Sequence, residues 1–152
     1  MTKSFGDSAL VALALIAGAL LPLQALINGR LSGALGNPFW ASMGQNLIGA
    51  TAMASVMLFI RAEPPTGAQV AATPPWAWIG GVLGAVYVLA ALVATPRLGA
   101  TRAVAAIIAG QLIASVLLDQ FGVLHPARPA TLRVIGGVAL LSLGAALVLT
   151  RD

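Results

Sequence analysis

Apolar residues run along this chain in long, nearly unbroken stretches, and the charged residues fall between them. A helix that crosses the hydrocarbon of a bilayer needs about 20 mostly apolar residues. Five stretches meet that length: Ala9 to Gly29, Pro38 to Ile60, Trp76 to Thr95, Ala103 to Gln120 and Leu132 to Thr150. The links, residues 30–37, 61–75, 96–102 and 121–131, hold most of the charges and several prolines. The pattern predicts an all-α integral membrane protein, a single domain of five transmembrane helices over residues 1–152, with no room for a soluble domain. The first stretch follows Lys3 like a secretory signal, but it is long for one and four more spans follow, so it is read as a span.

Polar residues within the spans are few and fall at helical spacing. In span one Pro22 has no amide hydrogen and its ring crowds the carbonyl of Gly18, which predicts a kink. Gln24 and Asn28, four apart, share a face of the next turn. Span two opens with Asn37 before Pro38, a helix-start signal, and carries Ser42, Asn46 and Gly49 on one stripe with Gln45 beside it. Because span two returns from the side where span one ends, the two polar stripes are expected at similar depth. Such amides in hydrocarbon either bond across helices or line a wet cavity, and both readings stay open.

Span three combines Gly80 and Gly84, at the spacing that lets helix backbones approach, with Tyr87 near mid-depth, while Trp76 and Trp78 mark its interfacial end. Tyr87 is expected to bond a partner or to touch solute. Span four places Gln111, Ser115 and Asp119 on one stripe. Asp119 lies near the exit, where a structural anchor paired with Arg128 or Arg133 competes with a coupling role. Span five, with Gly137 and Gly144 seven apart, offers a packing surface and no chemistry.

Composition agrees with the pattern: 59% of residues are hydrophobic and 8% charged, far from the balance of a solvated surface. The net charge of +4 does not indicate nucleic acid, because the basic residues sit at span ends where headgroups lie. With five spans, Lys3, Arg61, Arg128 and Arg133 fall on one side and Arg30, Arg97, Arg102 and Arg151 on the other. Four against four gives no positive-inside bias, which leaves two readings: insertion both ways in similar amounts, or an orientation decided by a feature outside the count.

Catalytic parts are missing. There is no cysteine, the one histidine, His125, lies in a proline-bounded link, and no phosphate-binding glycine loop occurs. No metal, no cofactor and no enzymatic activity are expected.

The segments "LPLQALINGRLSGALGNP", "GGVLGAVYV" and "GQLIASVLLDQFG" occur in order and at fitting spacings, and the chain that carries them resembles the YdcZ-type, five-helix members of the drug/metabolite transporter superfamily. The resemblance implies a multi-pass protein of the bacterial cytoplasmic (inner) membrane. It also relates the chain to four-helix multidrug transporters that work as antiparallel dimers and to ten-helix exporters built from two inverted halves. That relation gives the balanced charges a meaning, because a five-span unit paired with an inverted copy makes an antiparallel homodimer of ten helices with a site between the copies. One departure matters. The four-helix relatives carry a glutamate in the first helix, where this chain offers Gln24 and Asn28.

The leading expectation is a secondary transporter of a small polar or amphipathic solute by alternating access, with Gln24, Asn28, Ser42, Gln45, Asn46, Tyr87, Gln111 and Ser115 as solute-binding residues. The alternative is a non-transporting membrane subunit whose polar stripes bind helices or a partner protein. A channel ranks third.

Overall fold

The computed structural model describes residues 2–150, with side chains from residue 6 onward. Its elements are helices α1 (Thr2–Leu35), α2 (Pro38–Phe59), α3 (Gly67–Ala72), a 3-10 segment (Pro75–Trp78), and helices α4 (Ile79–Leu98), α5 (Ala100–Phe121) and α6 (Leu132–Leu149). The chain divides into two units, residues 1–93 and 94–152.

In the first unit α1 and α2 form a tight helical hairpin. Gly36 ends α1 in the left-handed region at φ +66, and the Asn37 side chain caps α2 by accepting from the Phe39 amide at 2.8 Å. Pro38 takes the first helical position, where an amide hydrogen is not needed. Small residues allow the contact: Ala41 and Ser42 are buried, as is Asn28 on α1. The helix is continuous through Pro22 and on to Leu35, so the link expected over residues 30–37 shrinks to Gly36 and Asn37. Nothing in "RLSGAL" breaks a helix before the left-handed glycine.

The expected link over residues 61–75 is also more ordered than its composition suggests. At the end of α2 the Arg61 amide donates to the Leu58 carbonyl at 3.2 Å and the Ala62 amide to the Met57 carbonyl at 2.9 Å, the paired bonds of a Schellman cap. The left-handed position of that cap is held by Arg61, at φ +53, rather than by glycine. For a side-chain-bearing residue this conformation costs roughly 1–2 kcal/mol. A Thr66–Gln69 capping box then starts α3.

In the second unit α5 packs on α6, with Ala103 and Ala145 buried. The link expected over residues 96–102 reduces to Gly99. α4 continues past Pro96 because the Gly99 amide still closes its last turn on the Thr95 carbonyl at 3.0 Å. Arg102 Nη2 donates to the Leu149 carbonyl at 2.9 Å, placing a cation at the negative end of α6.

Four segments among the described residues are long and apolar enough to cross a membrane: Gly6–Leu35, Pro75–Leu98, Ala100–Phe121 and Leu132–Leu149. α2 has the length, 22 residues, but falls short in hydropathy because of its polar residues. Much of that polarity is satisfied within the helix. Thr51 and Ser55 hydroxyls donate to the carbonyls four residues earlier, each at 2.9 Å.

The glycines assigned to helix packing stand in open space. A Cβ at Gly80, Gly84, Gly137 or Gly144 would find nothing within 4 Å.

Candidate solute site

The polar residues of α1 and α2 meet. Asn28, 6% exposed, donates from Nδ2 to Gln45 Oε1 at 2.9 Å, so the two stripes do lie at one level in the first unit. Asn46 donates to the carbonyl of Ser42 at 2.8 Å and lies 3.5 Å from its hydroxyl, which ties the second stripe to its own helix. The hairpin geometry produces this meeting. With a two-residue corner, residues about equally far from Gly36 along each helix come side by side, as Asn28 and Gln45 do.

Gln24, Asn28 and Tyr87 share a cavity of about 20 Å³ with Leu21, Ala91 and Leu92. Tyr87 is half-buried and Leu92 fully so, which gives the cavity an apolar floor beneath three hydrogen-bonding groups. The amide and phenol groups can both donate and accept. A larger, open groove of about 480 Å³ runs between α2 and α4, walled by Phe39, Met43, Val82 and Val86 with Ser42 and Asn46 as its polar residues. Six of the eight expected solute residues thus belong to this one region of the first unit: Gln24, Asn28, Ser42, Gln45, Asn46 and Tyr87.

Gln111 and Ser115 stand in the second unit on exposed positions of α5. The Ser115 hydroxyl donates to the Gln111 carbonyl at 2.7 Å, so its hydrogen is spent on its own helix. Asp119 ends the same stripe, and its partner is not an arginine side chain. Its Oδ1 lies 3.2 Å from His125 Nε2. Arg128 instead donates its backbone amide to the Asp119 backbone carbonyl at 2.8 Å. The reason is local: Gly122 turns the chain at φ +61 and folds the next residues back over the last turn of α5, bringing His125 to the carboxylate. Among the described residues no group of three or more potential metal ligands occurs.

Reasoning from spacing missed His125, set aside as a loop residue, and Thr95, 3% exposed with a hydroxyl lacking a hydrogen-bond partner. Glycine at 122 directly after a polar helix end was the available signal for the first; none pointed to the second.

The family model described as "Putative inner membrane exporter, YdcZ" matches residues 9–147. The chain belongs to the YdcZ family. Its YdcZ relative in Escherichia coli (strain K12), named as an inner membrane protein, is 28% identical over 146 residues, covering 96% of this chain and 98% of the relative. No solved structure matches the chain. The YdcZ assignment and the apolar helices together make this a multi-pass protein of the inner membrane, in a family of exporters rather than of enzymes.

Proposed function

We propose that this YdcZ protein is half of a secondary transporter: five membrane helices, α1, α2, α4, α5 and α6, pair with an inverted copy and carry a small polar or amphipathic solute by alternating access. The observation that carries the reading is the convergence of Gln24, Asn28 and Tyr87 on one small cavity, beside the Asn28–Gln45 bond and the Ser42–Asn46 groove. Uncharged donors and acceptors on an apolar floor suit a solute that must bind and then leave, since each bond is modest. Gln111 and Ser115 are assigned to the same task from α5, and the exposed glycines Gly80, Gly84, Gly137 and Gly144 to contacts with the second copy. The function is transport, not catalysis.

A second reading is favoured by the Asn28–Gln45 bond itself, which is what helix glue in a non-transporting subunit would look like. Thermal unfolding of the purified protein against a panel of metabolites separates the two, because a ligand bound only by the folded state raises its stability. The transporter reading expects at least one solute to raise the midpoint in the wild type and to do so less in Gln24→Ala. A panel without effect, with variants that change only basal stability, favours the subunit.

A further inference from the structure

The end of α2 holds a second cavity, of about 700 Å³ and open to the surface along exposed side chains, that the solute reading does not use. Arg61 and Glu63 line it together with Met57, Leu58, Pro64 and Pro65. Two features mark it as more than a loop hollow. Arg61 sits in the left-handed position of the cap, where glycine carries no strain, and backbone strain of this kind clusters at functional sites. Arg61 and Glu63 also form no salt bridge with each other, the ion pair among the described residues being that of Asp119 with His125. Opposite charges thus stand free in one cavity.

We propose that this cavity binds the headgroup of a zwitterionic phospholipid bearing a primary ammonium. The lipid phosphate pairs with the Arg61 guanidinium, which matches phosphate oxygens in a fork. The ammonium donates to the Glu63 carboxylate, and the acyl chains follow Met57 and Leu58 toward the exposed Phe59. Charge selects this occupant. An anionic headgroup leaves Glu63 uncompensated, and a choline headgroup has no N–H to donate. The assignment rests on α2 being a membrane helix, which sets its charged end at headgroup level; it does not depend on which solute is carried.

The test is the thermal unfolding midpoint of the purified protein in detergent with added dioleoyl phosphatidylethanolamine, phosphatidylcholine or phosphatidylglycerol, or with free phosphoethanolamine. Phosphatidylethanolamine is expected to raise the midpoint most. In titrations, Arg61→Gly, which relieves the left-handed strain and so does not lower the bare-detergent midpoint, is expected to weaken its binding roughly tenfold or more, the effect of a lost charge-assisted bond. Glu63→Gln is expected to abolish the preference over phosphatidylcholine, and Asn28→Ala to leave that preference intact even if solute binding is lost. Equal effects of the three lipids, an unchanged response in both cavity variants, or full replacement by phosphoethanolamine overturns the lipid assignment.

Discussion

Asp119 at the end of α5 reaches His125 in the following loop, Oδ1 to Nε2 at 3.2 Å, across a turn made by Gly122. Both side chains are more than a third exposed, so the pair contributes little to global stability, under about 1 kcal/mol. Its role is to hold the loop. The same loop is tied by the Arg128 amide to the Asp119 carbonyl and by the Ala130 amide to Gln120 Oε1 at 2.9 Å. In liposomes, Asp119→Asn is expected to leave the proton dependence of transport unchanged while amide hydrogen exchange in residues 122–131 speeds up. Loss of proton-driven uptake with solute exchange preserved would assign the carboxylate to coupling instead.

Gly122 tolerates no side chain. A Cβ there would lie 2.8 Å from the Ala127 backbone nitrogen, in a left-handed conformation at φ +61. Gly122→Ala is expected to destabilise by roughly 1–3 kcal/mol, seen as a lower unfolding midpoint. An unchanged midpoint would mean that the loop does not fold back over α5.

The Asn28–Gln45 bond predicts coupling between the two positions. In a double-mutant cycle of Asn28→Ala and Gln45→Ala, the interaction term in unfolding free energy is expected at roughly 0.6–2 kcal/mol, the range for interhelical bonds in membranes. Additive effects would deny the contact.

Much of this hairpin was legible in the sequence. Polar residues at i and i+4 define a face, and a short corner between two spans brings such faces to one depth, which is how Gln24 and Asn28 could be matched with Ser42, Gln45 and Asn46. Helix ends were less legible. Pro96 and Arg30 read as link residues, yet both lie inside helices, since the breaks occur at the left-handed glycines Gly36 and Gly99. The partner of Asp119 was not legible at all. Charge attraction favoured arginine, while backbone turning at Gly122 selected His125.

Gly80 and Gly137 offer a test of contacts between copies, because a Cβ at either meets nothing within 4 Å. Gly80→Leu and Gly137→Leu are expected to leave the unfolding midpoint of the dissociated chain within about 1 kcal/mol of wild type. Energy transfer between labelled copies in liposomes should fall in at least one of them. Undiminished transfer in both variants would place the interface elsewhere.

The claim that two inverted copies make one transporter is tested most directly by orientation. Cysteines introduced singly at Leu35, before the first corner, and at Gly67, at the start of α3, are labelled with a membrane-impermeant reagent in intact and in opened cells expressing this chain alone. The account predicts that each position labels partly from both faces, in similar proportion, as the four-to-four charge balance implies. Labelling of each position from a single face would contradict the inverted pair.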